Sequence, residues 1–183
     1  MRPVNSVMTI GSPTVMTAVD PVDDLESGDQ EIDLWLRAES WGSQASKKSN
    51  TFVISDGKSV VGFYTLSFGS ISCGPDLVPV MVLNRLAVDK QLHGQGIGSA
   101  LLADATTRVL NMIAEKWDIQ AFVAHASNQK SREFYLHMGF CQSDFDPMVL
   151  VFQLPTVQRS PSEKTAQALA EAKELRDRLV FKK

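Results

Sequence analysis

The sequence is short of several things, and each shortage removes a class of function. It has two cysteines, Cys73 and Cys141, far apart and without partners at metal-ligand spacing. Neither a disulfide framework nor a zinc site is expected, and both read as free thiols. Its three histidines, His93, His125 and His137, form no His-x-x-x-His pair. No metal site is expected from them either. No run approaches the roughly 18 apolar residues of a membrane-spanning helix. The opening residues carry no continuous apolar core of the secretory kind, so the expected compartment is the cytoplasm. Basic charge is not in excess: 18 Lys and Arg stand against 21 Asp and Glu, a net charge of −3. A chain-wide basic footprint for nucleic acid is therefore absent, and local patches must carry any such contact.

What is present is an ordinary globular composition, 44% hydrophobic and 21% charged over 183 residues, enough for one core. Residues 1–23 are broken by Pro3, Pro13 and Pro21 and read as loosely organised. From about Asp29 to Ser46, Ile32, Trp35, Leu36 and Glu39 fall at helical spacing, with Ser27 or Asp29 as N-cap. "TFVIS" (51–55) and "SVVGFYTLSFGSIS" (59–72) read as strands, and Asp56-Gly57 between them predicts a tight hairpin. Residues 73–79 read as a loop and 80–88 as a buried strand. A helix is predicted over 98–116, its buried stripe Leu102, Ala105, Val109 and Ile113. A strand (119–126), a short helix (128–139) closed by Gly139, and a loop ending in a strand (140–154) complete the pattern. This order predicts an α/β (α+β) fold with a mixed central sheet and helices on both faces.

After Pro155 the composition changes. Ser160, Pro161 and Glu163 make a helix-start signal, and Ala168, Ala172, Leu175 and Leu179 recur at helical steps. Residues 1–155 are thus expected to form one domain and 156–183 a C-terminal helical extension. The extension would dock on its own domain or a second subunit, or serve a partner protein.

The chemistry centres on "LAVDKQLHGQGIGSALL" (86–102), where glycines fall between a strand-like and a helix-like run. A nucleotide P-loop needs Gly-Lys-Ser/Thr, but Gly98 is followed directly by Ser99. A dinucleotide loop needs G-x-G-x-x-G and an acidic residue on the next strand, and neither is present. Gln91-Leu92-His93-Gly94-Gln95-Gly96 instead fits Q/R-x-x-G-x-G/A. With the strand ending Leu86-Ala87-Val88 before it and "ASNQKSREFYLHMGF" after it, the chain resembles the GNAT N-acetyltransferase superfamily over about residues 24–154.

The resemblance implies a GNAT fold and acetyl-CoA as cofactor. Its pyrophosphate would sit on the loop of Gln91, His93, Gly94, Gln95, Gly96, Ile97, Gly98 and Ser99. Leu86, Ala87, Val88, Asn128, Ser131 and Phe134 would supply further contacts, and Tyr135 the general acid. A tyrosine suits that role, because its pKa of ~10 exceeds the ~8.5 of a thiol and it can protonate a departing thiolate.

"LESGDQEIDLWL" (25–36) and "DPMVL" (146–150) further resemble the GNAT toxins of bacterial toxin–antitoxin pairs. That likeness implies acetylation of the α-amino group of aminoacyl-tRNA, a ribbon-helix-helix antitoxin as partner and a homodimer. Arg37, Lys47, Lys48, Arg85, Lys90, Lys130 and Arg132 are the candidate tRNA contacts. No carboxylate stands out as a general base. An α-amine of pKa ~8 needs one less than a lysine at ~10.4 does. The residues leave two other readings open: an acetyltransferase for a small amine or protein N-terminus, and a non-catalytic acyl-CoA-binding module.

Overall fold

The computed structural model describes residues 10–154 apart from 74, 75, 116 and 145. The expected extension over 156–183 and the first nine residues lie outside the described residues. Seven strands form one mixed sheet in the order β1-β2-β3-β4-β5-β7-β6. The strands are β1 (Thr14–Val15), β2 (Asn50–Ser55), β3 (Val60–Cys73), β4 (Asp76–Val88), β5 (Ala121–His125), β6 (Cys141–Gln142) and β7 (Val149–Gln153). The helices are α1 (Gln30–Ala38), α2 (Ser40–Ala45), α3 (Ile97–Ala114) and α4 (Gln129–His137). Only β4 and β5 run parallel; every other neighbouring pair is antiparallel.

Two expectations change. The helix read over 29–46 breaks at Glu39, whose backbone (φ −120°, ψ −23°) leaves the helical region, and α2 restarts from it. The stretch 73–79 is not a loop. β4 begins at Asp76 and pairs with β3 down to Cys73↔Asp76, so β3 and β4 make one long hairpin. Pro79 is tolerated there because the β4–β5 ladder starts only at Val80, leaving no interstrand donor to lose on that side. The strand β1 was invisible in the sequence: two exposed residues give no periodicity.

The other elements follow their patterns. Asp56 Oδ1 accepts the amides of Lys58 and Ser59 at 2.9 Å, and Gly57 takes φ +89°, closing the β2–β3 turn. The main core lies between the sheet and α3–α4; the α3 stripe Leu102, Ala105, Val109 and Ile113 is buried in it. A second cluster joins Trp35 and Leu36 of α1 to Val53, Phe63 and Ala87 on the opposite face. Tyr64 is fully buried on β3. Its hydroxyl donates to Asp104, and Arg108 links both to the Pro13 carbonyl at 2.9 Å. This network ties β3, α3 and the N-terminal segment together.

Candidate active site

The site begins where two parallel strands part. β4 pairs with β5 only through Val80–Leu83, after which β5 keeps to β7: the Ala126 amide donates to the Met148 carbonyl at 2.9 Å. At the same point β4 carries a bulge. Thr65 faces Arg85 but Leu66 faces Leu83, so Asn84 is the extra residue. Beyond it β4 has a neighbour on the β3 side only.

The register fixes which amides are left over. The Asp89 amide donates to the Val61 carbonyl at 2.9 Å, so the hydrogen-bonded pairs are Val61–Asp89, Phe63–Ala87 and Thr65–Arg85. Leu86 and Val88 occupy the alternate pairs, and their amides point away from β3 into the gap beside β5. Of the three residues read from the sequence, Leu86 and Val88 therefore offer donors, while the Ala87 amide is spent on β3.

The chain then turns through a 3₁₀ segment, Lys90–Leu92, into the glycine loop. His93 fixes this turn by a 2.8 Å bond from Nε2 to the Val88 carbonyl. A carbonyl only accepts, so Nε2 carries the proton. Gly94 (φ +78°) and Gly96 (φ +81°) are left-handed, and a Cβ built on either meets nothing within 4 Å. Their need for glycine is thus conformational, and the space above them is open. Gly96 is the N-cap of α3 and provides no side-chain cap. The first amides of α3 are consequently available, with the positive end of the helix dipole behind them. An anion of pyrophosphate size fits such a cradle.

These elements line a cavity of about 660 Å³. Leu86, Ala87, Val88, His93, Gly94, Gly96, Ile97, Gly98, Ser99, Asn128, Ser131, Phe134 and Tyr135 all reach it. Gln91 and Gln95 do not: both are exposed outside the wall, and the Gln91 amide caps onto Asp89 Oδ1 at 2.9 Å. Asn128 and Ser131 form a reciprocal capping box at the start of α4. That bonding uses the Asn128 side-chain oxygen and the Ser131 hydroxyl locally. Tyr135 is 5% exposed, between Phe134 and Phe140 at ring-centroid distances of 5.3 and 5.6 Å. Burial pushes its pKa up from the ordinary tyrosine value, so the hydroxyl is protonated at neutral pH.

Sequence reasoning missed the opposite wall. Ser27, Gly28, Asp29 and Ile32 line the same cavity. Asp29 N-caps α1, accepting the amides of Glu31 and Ile32 at 3.1 and 3.3 Å. Asp33 is buried and accepts Ser27 Oγ at 2.5 Å and the Ser27 amide at 3.0 Å. Gly28 between them has φ +93°. This is the physical content of "SGDQEIDLWL": a carboxylate on α1 holds the turn that precedes it, while Trp35 and Leu36 anchor the helix. The turn is also tied to the glycine loop. The Lys90 amide donates to the Glu26 carbonyl at 2.8 Å, and Lys90 Nζ lies 2.6 Å from Glu26 Oε2.

The seven cations read from the sequence separate on inspection. Lys130 lines the cavity. Lys47 and Lys48 are exposed after α2. Arg37 donates to the Leu25 carbonyl at 2.7 Å. Arg85 lies 4.1 Å above the Trp35 ring, and partial burial pulls its pKa down. Arg132 bonds the Pro147 carbonyl at 3.0 Å and Gln142, and Lys90 pairs with Glu26. Those four are engaged with neighbouring residues and do not line the cavity. Among the described residues, no group of His, Cys, Asp and Glu is placed to hold a metal, and no helix is long and apolar enough to cross a membrane.

Comparison with known proteins agrees with this geometry. Residues 47–142 match the family described as "Acetyltransferase (GNAT) domain". A tRNA-acetylating toxin of Mycobacterium tuberculosis (strain ATCC 25618 / H37Rv) is 35% identical over 150 residues, covering 76% of this chain and 90% of that protein. Among solved structures, the toxin AtaT complexed with acetyl-methionyl-tRNAfMet superposes with a TM-score of 0.72 at 22% identity, over 79% of this chain and 94% of that one. A Tyr-to-Phe mutant of AtaT, bound to the C-terminus of the antitoxin AtaR and acetyl-CoA, gives 0.72 at 24% identity, over 79% and 92%. At these identities the structures speak for the fold. The matched residues cover more than half of the chain, and with the curated relative they decide its membership: this protein belongs to the GNAT acetyltransferase family.

Proposed function

We propose that the protein is an acetyl-CoA-dependent N-acetyltransferase that modifies the α-amino group of aminoacyl-tRNA and so blocks translation, as a toxin restrained by an antitoxin. The single observation that carries the reading is the 35% identity to a tRNA-acetylating toxin over most of both chains. The site fits the chemistry. When bound, acetyl-CoA supplies the acetyl thioester. The open amides at the start of α3, with Gly94 and Gly96, would hold its pyrophosphate. The Leu86 and Val88 amides would hold its pantetheine arm or polarise the thioester carbonyl. Tyr135 keeps a proton at Oη for the sulfur that leaves as the new N–C bond forms and the C–S bond breaks.

The acceptor amine approaches neutral by its own pKa of ~8, which matches the absence of an assigned base. The reading extends to a ribbon-helix-helix antitoxin, a homodimer and a cytoplasmic site of action. Support for the first is the family of toxin–antitoxin complexes among the structural neighbours. Support for the second is the exposed apolar surface at Phe68, Leu77 and Trp117. The third rests on the location of charged tRNA. Residues 1–155 are proposed as the catalytic domain.

Labelled acetyl-CoA offered to charged tRNA, uncharged tRNA and free amines tests the proposal. Label is expected on charged tRNA alone. Label on small amines or protein with none on charged tRNA would overturn it.

A further inference from the structure

A buried carboxylate stands one hydroxyl away from the cavity. Asp33 is 8% exposed and does not line the cavity itself, but Ser27 does. Ser27 Oγ lies 2.5 Å from Asp33 Oδ1. A serine hydroxyl has one hydrogen to give and two lone pairs to receive. The hydrogen goes to Asp33 Oδ1, nearer than the Asp29 carbonyl at 3.3 Å. One lone pair takes the Asp29 amide at 3.1 Å. The second takes a bond from no other group among the described residues. The Ser27 amide also donates to Asp33, at 3.0 and 3.2 Å to its two oxygens, so hydroxyl and carboxylate are held together. The Asp29 carboxylate is occupied differently: its Oδ1 caps α1 through the amides of Glu31 and Ile32.

The pair is fixed beside the end of β4. Leu25 shares a buried cluster with Ala87 on the α1 face of the sheet. The Glu26 amide donates to Asp89 Oδ2 at 3.3 Å, and the Lys90 amide to the Glu26 carbonyl at 2.8 Å. Tyr135 belongs to the cluster on the other face, with α3. An acetyl thioester lying along Leu86 and Val88 would thus have a proton donor on one side and a lone pair on the other.

We propose that Ser27 is a further catalytic residue, which takes the proton of the acceptor amine and passes its own to Asp33. A neutral amine that attacks the thioester carbon gains positive charge at nitrogen as the N–C bond forms. As the C–S bond breaks, sulfur takes the Tyr135 proton. The nitrogen gives its proton to Ser27 Oγ, and Oγ releases its hydrogen to Asp33 Oδ1. Amide and thiol leave with Asp33 protonated and Tyr135 ionised, and return of that proton through water resets the site. The inference rests on acetyl transfer to an amine and holds for whichever amine accepts it.

The test uses the full chain and the acceptor that the wild-type protein labels, so an error about the acceptor shows separately, in the wild type. Ser27→Ala keeps the backbone bond to Asp33 and the Asp29 cap. Its kcat is expected to fall about 100-fold, with acetyl-CoA affinity by calorimetry within about twofold. Ser27→Thr, which keeps a hydroxyl, is expected to restore at least a third of kcat. Asp33→Asn should also slow turnover, and the double variant Ser27→Ala with Asp33→Asn should be no slower than the slower single one, because the two act as a unit. An unchanged kcat for Ser27→Ala would overturn the proposal. So would equal losses of kcat and affinity, a threonine variant as slow as the alanine one, or multiplying losses in the double variant.

Discussion

Tyr135 is buried among aromatic neighbours and lines the cavity. Burial raises its pKa, so it stays neutral and proton-bearing across the working range. Tyr135→Phe removes one oxygen and keeps the packing against Phe134 and Phe140. Acetyl-CoA affinity is then expected to hold within about twofold while kcat falls about 100-fold or more, the usual scale of acid catalysis. Calorimetry beside steady-state kinetics checks both halves, and an unchanged kcat would remove Tyr135 from the chemistry. The direction of the shift also fixes a pH profile. A folded-state pKa above the ordinary ~10 means that loss of the Tyr135 proton cannot limit the rate below pH 10. Between pH 6 and 9 the rate is expected to rise as the acceptor amine deprotonates; a decline in that range would show an acid of lower pKa. On the facing wall, Asp33→Asn replaces one acceptor oxygen with a donor that faces the Ser27 amide and hydroxyl. A loss of about 1–3 kcal/mol in unfolding free energy is expected, read from the denaturant midpoint. An unchanged midpoint would mean that the Ser27–Asp33 contact does not hold the turn.

The glycine loop shows why elements must be argued position by position. Three glycines alternate, but only Gly94 and Gly96 adopt positive φ; a Cβ on Gly98 would make an ordinary 3.8 Å contact with Phe134. Gly98→Ala is therefore expected to stabilise the protein without ligand by about 0.5–1 kcal/mol, through helix propensity. Gly96→Ala is expected to cost about 1–2 kcal/mol for the left-handed backbone and to weaken acetyl-CoA binding. Thermal melts of the two variants should shift in opposite directions; a raised midpoint for Gly96→Ala would contradict the left-handed assignment of Gly96, and a lowered one for Gly98→Ala the helical assignment of Gly98. The loop itself was legible because left-handed turns and bare helix starts demand glycine, and that demand is written locally. The Asp56-Gly57 turn was legible for the same reason, and the α3 stripe by its three- and four-residue spacing. What escaped was set by pairing at a distance. The bulge at Asn84 exists only in the register between β3 and β4, and the gap exists only because β5 stays with β7. The strand 76–79 escaped because Pro79 and the two residues after Cys73 look like a turn until β3 extends to meet them. The Ser27 wall escaped as geometry, although its sequence had been noticed, because no spacing rule says that Asp33 turns back on Ser27.

At the scale of the whole molecule, the proposed tRNA acceptor sets the question of how a chain of net charge −3 would meet a polyanion. Structure narrows the candidates: Arg37, Arg85, Lys90 and Arg132 already serve carbonyls, a ring or a carboxylate within the fold. Lys47, Lys48 and Lys130 have no such ion pair or side-chain bond among the described residues, and Lys130 stands on the cavity wall. If these three among the described residues carry the contact with the proposed tRNA, the counterion release is small. With a slope of roughly −0.7 to −0.9 per neutralised phosphate, a plot of log affinity against log salt is expected to fall with slope about −2 to −3. Lys47→Glu with Lys48→Glu should flatten that slope by about 1.5 and raise KM for charged tRNA, leaving the affinity for acetyl-CoA unchanged. Lys130→Ala is expected to act on both proposed substrates, because Lys130 lines the cavity. A measured slope of −6 or steeper would show that cations beyond these three, elsewhere on the chain or on a second subunit or partner, join the contact, and would remove Lys47, Lys48 and Lys130 as its sole carriers.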